Sequence, residues 1–120
     1  MFMKKEEKIS IFEFDDNGTL SRKEILNELK EFQKIVEGYI EPIHLINNVY
    51  LIVNEEGKLK DLDFSLMIEM EDLKRFIVQG NCFITKIEDE EFASLSEADF
   101  KILNSNLKFL KDSKIWKLKI

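Results

Sequence analysis

An α+β fold is predicted: a small, mostly antiparallel sheet of about four strands, with two main helices packed on it. Three observations carry that prediction. Gly38 to Gly57 reads as two extended segments folded back at Asn47-Asn48, because Asn tolerates the positive φ of a two-residue hairpin turn. Lys8 to Phe14 alternates, with Ile9, Ile11 and Glu13 against Ser10, Phe12 and Phe14, which is the period of a strand. Ile25, Leu29, Phe32 and Val36, and later Phe100, Leu103, Leu107 and Leu110, recur at helical spacing.

In chain order, Lys8 to Phe14 is the first strand and Asp15-Asp16-Asn17-Gly18 a turn. Ser21-Arg22-Lys23-Glu24 has the form of a capping box, in which Ser21 and Glu24 satisfy each other's amides. The spacing then predicts a helix from Arg22 to Glu37, ended by Gly38 in the left-handed conformation. In the hairpin, Ile46 is expected opposite Val49, Ile43 opposite Ile52, and Glu41 opposite Asn54. Alternation then places Ile40, Pro42, His44, Ile46, Val49, Leu51 and Val53 on one face. Tyr39, Glu41, Ile43, Leu45, Tyr50, Ile52 and Asn54 take the other. Both faces are largely apolar, so the pair belongs in a covered sheet. Pro42 has no N–H for a ladder and marks an edge or a bulge.

Glu55-Glu56-Gly57-Lys58 turns the chain, and Leu59 to Asp63 reads as a loop. Asp63 is placed to cap a short helix carrying Leu66, Met67 and Met70. Glu71 to Lys74 leads into a strand from about Phe76 to Ile87, where Gly80 marks a bulge or the true start. Glu88-Asp89-Glu90-Glu91 is a charged loop. Ser96 caps the last long helix, with Leu95 stapled onto Phe100, and Asn104-Ser105-Asn106 kink it or end it early. Ile115 to Ile120 puts Trp116, Leu118 and Ile120 on one face and Lys117 and Lys119 on the other, as an edge strand or docked tail.

Length and composition bound the function. The 120 residues suit one domain that buries roughly 65% of its unfolded surface. The 44% apolar fraction, with ten Phe, supplies a core. Cys82 is the only cysteine, so no internal disulfide framework exists, and a reducing, cytoplasmic setting is expected. No apolar run approaches the ~20 residues of a membrane span, and the first residues lack the apolar core of a secretory leader. Net charge is −6, unevenly spread: residues 108–120 carry five lysines and one aspartate, or +4, which leaves −10 on the rest. The acidic body is therefore not expected to contact nucleic acid directly, and suits a basic protein surface instead.

The sharpest chemical motif is Glu13 to Glu24, which resembles a calcium loop with Glu13, Asp15, Asn17 and Glu24 at ligand spacing. It departs at Glu13, where a shorter Asp is usual, and Ile9, Ile11, Phe12 and Phe14 alternate where a helix should enter. His44 has no second His or Cys near it in sequence, and Cys82 in Asn-Cys-Phe-Ile reads as a buried thiol. No nucleophile–base spacing, phosphate-cradling glycine loop or CxxC is present. The sequence therefore predicts a non-enzymatic protein without a cofactor.

Three blocks in fixed order resemble a known family. They are Leu29-x-x-Phe32-Gln33-x-Ile35-Val36-x-Gly38-Tyr39-Ile40-Glu41, Val53-Asn54-Glu55-Glu56-Gly57-Lys58-Leu59, and Ile77-Val78-x-Gly80-Asn81. Over residues 9–96 the chain resembles the domain of unknown function 3846 family. It departs from that pattern at Glu37, where a second glycine is usual before Gly38. It also lacks the Pro/Asn segment usual after the Asn-Glu-Glu-Gly block, and adds a C-terminal helix and basic tail. The resemblance brings no catalytic residues and implies a phage or mobile-element setting. By analogy, small acidic proteins there inhibit host defence, as anti-CRISPR and antirestriction proteins do. The expected partner is a basic nucleic-acid-binding surface of a host defence effector, with no membrane contact. The candidate partner-binding residues are Tyr39, Glu41, Asn54, Glu55, Glu56, Glu88, Asp89, Glu90 and Glu91. An accessory protein of phage replication and a calcium-binding module are the alternatives.

Overall fold

The computed structural model describes residues 7–14, 20–56, 65–70, 75–78, 80–110 and 115–120. Ten strands and two helices are assigned among them, in two sheets. The larger sheet has six strands. Its path runs β2 (Leu20–Leu26), β1 (Lys8–Phe14), β7 (Cys82–Glu88), β4 (Val49–Asn54) and β3 (Ile40–Ile46), and β8 (Glu91–Ala93) pairs with β7. The smaller sheet runs β6 (Arg75–Val78), β5 (Ser65–Glu69), β10 (Ile115–Lys119), β9 (Leu107–Leu110). All pairings are antiparallel except β5 with β10. The class is α+β as expected, with more strands than expected.

β1 and β7 are central strands, and both their faces are apolar. Ile9, Ile11, Ile52 and Phe83 face one side, where helix α1 (Leu29–Val36) covers them with Phe32 and Val36. Phe32 stacks there on Phe92, with ring centroids 4.4 Å apart. Phe12, Phe14, Leu51 and Ile84 face the other side. Helix α2 (Glu97–Ser105) closes that side with Phe100 and Leu103, and the smaller sheet closes it with Leu66, Ile68 and Leu118. The two helices thus cover opposite faces, and β1, β4 and β7 each contribute alternate residues to two cores.

Several expectations are corrected. Residues 20–26 form β2, paired with β1 over its whole length, and not the first turns of a helix. The unpaired edge of β1 gains seven residue pairs this way, while Ile25 still reaches the α1 core. Helix α1 begins only at Leu29, after Glu28, whose side chain makes no capping bond. Its left-handed terminal residue is Glu37, at φ 61°, one position before Gly38.

The hairpin turn lies at Asn47-Asn48, but its register is not the simple one. Ile46 pairs with Val49, then a bulge at Leu45 makes His44 face Tyr50, Ile43 face Leu51, and Ile40 face Asn54. The extra residue turns Ile43 and Leu45 toward the α2 core with Val49 and Leu51, instead of placing them with Tyr50 and Ile52. Only Asn47 of the pair has positive φ. Pro42 does lie on an edge strand.

Residues 65–69 are β5 and not a capped helix, because Leu66 and Ile68 alternate into the core. The expected strand 76–87 is two strands in different sheets, broken at Gly80, where φ is 97°. Glu88-Asp89-Glu90-Glu91 is a hairpin turn joining β7 and β8. The last strand, β10, is interior to its sheet and not an edge, because β9 follows α2 and pairs with its outer side. Helix α2 ends at Ser105, within the Asn104-Ser105-Asn106 run, and Leu107 begins β9. The turn expected at 15–18, the loop at 59–63, the connection at 71–74, and residues 57–58 of the turn after the hairpin lie outside the described residues.

Candidate functional site

Where α2 crosses the turn end of the β3–β4 hairpin, it leaves a groove of about 460 Å³ against the end of β10. Its floor is Val49, Leu103 and Leu118, and its walls include Ile46, Ile102, Asn106 and Ile120. Two of these apolar side chains stay in solvent: Ile102 is 53% exposed and Ile46 37%. The groove is a concavity with an apolar interior and few polar groups, the usual form of a binding site.

The α2 end of the groove is fixed locally by sequence. Ser96 caps the helix: its Oγ accepts from Asp99 N at 3.1 Å, and Asp99 Oδ2 accepts from Ser96 N at 2.7 Å. The expected cap is therefore present, with Asp99 as its second member. Leu95 and Phe100 on either side enter one core. Asp99 also meets Lys86 Nζ of β7 at 3.0 Å. Burial alone would raise the Asp99 carboxyl, but the bonds from Ser96 and Lys86 outweigh it and hold the carboxyl below its ordinary range. Asp99 is thus a fixed anion on the groove wall.

The acidic turn stands beside this groove. Lys86 pairs with Val49, so Lys86, Glu88 and its partner Glu91 point to the groove side of the sheet. Asn48 Nδ2 donates to Glu88 Oε1 at 2.8 Å, tying the two turns together. Asp89 and Glu90 sit at φ 51° and 66°, the two positive-φ positions of the turn. All four residues are exposed.

The other candidate residues gather at the far end of the hairpin. Asn54 Nδ2 donates to Val36 O at 3.1 Å and Glu37 O at 3.3 Å, and Asn54 Oδ1 accepts from Glu56 N at 2.9 Å. Glu55 N donates to Tyr39 O at 2.8 Å. Asn54 is therefore the clamp between the end of α1 and the turn after β4. Tyr39 is 65% exposed and, with Gln33, Gly38 and Glu56, lines a shallow depression of about 290 Å³. Glu41 is exposed beside them on β3. About 20 Å of β4 separates Glu55 and Glu56 from the Glu88–Glu91 turn, so the two acidic groups do not form one surface.

The ends of the proposed calcium loop do not converge. Glu13 pairs with Ser21 and Glu24 with Ser10, which puts the two carboxylates on opposite faces of the β1–β2 ribbon. Glu13 Oε2 instead meets Lys23 Nζ at 2.8 Å. Asp15 and Asn17 lie outside the described residues. Among the described residues, no group of three His, Cys, Asp or Glu is placed to hold a metal ion.

His44 is exposed and structural: its Nε2 donates to Asn47 O at 2.6 Å, and its ring packs edge-on against Tyr50. Cys82 is fully buried, and burial, with Glu13 adding to it, pushes its thiol up to about 12, so it is no nucleophile. Arg22, set aside by the capping-box expectation, bridges β2 to α2. It pairs with Glu97 and lies 4.2 Å over the Phe100 ring. The groove residues Ile46 and Ile102, and Lys86 beside Asp99, were not singled out as site residues in the sequence. One signal was available: Ile102 is an apolar residue off the Phe100–Leu103 face of its helix.

No helix among the described residues is long and apolar enough to cross a membrane. The family model described as Domain of unknown function (DUF3846) matches residues 9–108, and the chain belongs to that family. No curated protein and no solved structure matches it.

Proposed function

We propose that this member of the family is a non-enzymatic, cytoplasmic binding protein whose groove takes an apolar anchor from a protein partner. Glu88, Asp89, Glu90 and Glu91 then meet basic residues flanking that anchor. One observation carries the proposal: exposed Ile46 and Ile102 rim an apolar groove, and Asn48, next to its lining residue Asn47, holds Glu88 of the exposed acidic turn. An anchor in a desolvated groove supplies affinity, and complementary charge supplies steering and selectivity. The carboxylates suit the basic grooves with which nucleic-acid-dependent enzymes hold their substrates. The partner proposed is therefore a host defence effector of the CRISPR or restriction type, inhibited by occupation of its nucleic-acid groove. The mobile-element setting implied by the family resemblance supports that choice by analogy.

The test is binding to a panel of purified defence nucleases, measured between 50 and 500 mM salt. A nuclease is expected to bind and to be inhibited, with affinity falling steeply as salt rises. Ile102→Glu, and separately the fourfold change E88Q/D89N/E90Q/E91Q, should each abolish binding while the folded circular-dichroism spectrum is retained. Salt-insensitive binding, or no binding to any nuclease, overturns the proposal.

A further inference from the structure

The smaller sheet has two unlike faces. Leu66, Ile68, Val78, Leu107 and Leu118 pack into the core, so the alternate residues of each strand point away from it. The register aligns, in two rows, those outward residues whose side chains are described. Ile77, Met67, Lys117 and Lys108 cross the four strands in one row, and Arg75, Glu69 and Lys119 form the next. Among the described residues, four cations thus share one face with a single carboxylate. Glu69 is 6% exposed and faces Lys117 Nζ at 2.7 Å and Arg75 Nε at 3.6 Å. Arg75, Lys108 and Lys119 are exposed, as is Ile77 at 55%.

In a chain of net charge −6, this concentration of cations on one face is unexpected. It spans about 14 Å across the strands and about 7 Å along them. Among the described side chains, Arg75, Lys108, Lys117 and Lys119 form an open field of separated charges around the apolar Met67 and Ile77. An open field suits a polymer of regularly repeated anions, whose binding depends on how many phosphates are neutralised and not on a shaped pocket.

We propose that the outer face of the four-stranded sheet binds the phosphate backbone of single-stranded nucleic acid, without sequence preference, through Arg75, Lys108, Lys117 and Lys119. Met67 and Ile77 give the sugars and bases an apolar surface to lie on. The acidic turn lies on the other sheet, so the general disfavour of nucleic acid toward the acidic body does not apply to this face. Of its four cations, Lys119 also lines the groove, while Arg75, Lys108 and Lys117 do not.

The experiment is fluorescence anisotropy with the full chain and a labelled 20-nucleotide oligothymidylate, over 20–200 mM salt. Four phosphate contacts predict a slope of log K against log salt of about −2.8. The double variant R75Q/K108Q removes two exposed cations and keeps the Lys117–Glu69 pair, so its fold is preserved and checked by its unfolding midpoint. Its slope should fall to about −1.4, with affinity at low salt reduced about tenfold or more. Neither Arg75 nor Lys108 lines the groove, so the loss expected of R75Q/K108Q separates this site from it. Absence of binding at 20 mM salt, or an unchanged slope in the double variant, overturns the proposal. Competition by poly-glutamate as strong as by unlabelled oligonucleotide overturns it in favour of an acidic protein ligand.

Discussion

The clamp between α1 and the hairpin allows a quantitative test of how this fold is held. Gly38 lies so close to Asn54 that a Cβ added at Gly38 would stand 2.5 Å from Asn54 Nδ2 and 3.3 Å from its Cγ. That amide is engaged by the carbonyls of Val36 and Glu37 and by Glu56 N, so it has nowhere to move without losing them. Asn54→Ala removes three hydrogen bonds, each worth about 0.5–1 kcal/mol at this partly exposed site, or about 2 kcal/mol together. Gly38→Ala forces the amide aside and breaks the same bonds, also at about 2 kcal/mol.

The double variant distinguishes this account from two independent defects. With Ala at 54 the clash at 38 disappears, so G38A/N54A should cost about the same as N54A alone. The coupling between the positions is then about 2 kcal/mol. For a domain of this length, 1 kcal/mol moves the unfolding midpoint by about 4 °C, so each single variant and the double should all melt about 8 °C below the parent. Thermal unfolding followed by circular dichroism reads this directly. A double variant melting about 16 °C lower, or a neutral G38A, would refute the close-approach account.

The remaining predictions use the same measurement. Glu37 holds the left-handed position at the end of α1, which costs a non-glycine residue about 1 kcal/mol; E37G should raise the midpoint by about 4 °C, and a fall would show that the Glu37 side chain contributes more than its backbone costs. Ser96→Ala deletes the cap of α2 and should cost about 1 kcal/mol. Because the folded Asp99 carboxyl is held below its ordinary range, its contribution is present at neutral pH and is lost as pH falls through its folded value, below about pH 4. D99N should therefore be less stable than the parent at pH 7 and lose less between pH 5 and pH 2; parallel acid profiles would exclude Asp99 from the acid limb.

Patterns of period two were legible in the sequence: β1 and the β3–β4 hairpin were placed, and Lys117 and Lys119 were set opposite Leu118 and Ile120 correctly. Where a segment fits two periods, tertiary pairing decided. Ser21-Arg22-Lys23-Glu24 satisfies a capping box in isolation, but the same residues alternate, and β1 needed a partner along its open edge. Leu66 and Met70 fit a helix, yet Leu66 and Ile68 fit a strand whose partner, β10, begins 47 residues later, at Ile115 counted from Ile68. The parallel β5–β10 pairing has no local signal at all. The bulge at Leu45 was equally silent, and by shifting every later pair by one residue it moved Ile43 and Leu45 to the other core.

The groove escaped the sequence for a related reason. Its walls come from a hairpin turn, a helix and the last strand, and none of the three carries a motif of its own. What made it is a mismatch between packing and exposure. Helix α2 buries Phe100 and Leu103 and leaves Ile102 in water, and the hairpin buries Val49 and leaves Ile46 partly exposed. Scattered exposed apolar residues need no explanation, but two that flank one concavity beside a fixed acidic turn do. The acidic turn itself was found by composition, yet its meaning depends on neighbours that composition cannot supply. Glu55 and Glu56 looked equivalent to Glu88–Glu91 in the sequence, and only the latter stand beside an apolar groove. Charge located the candidates, and the fold separated a residue pair at a structural clamp from a turn tied to the hairpin end that lines the groove.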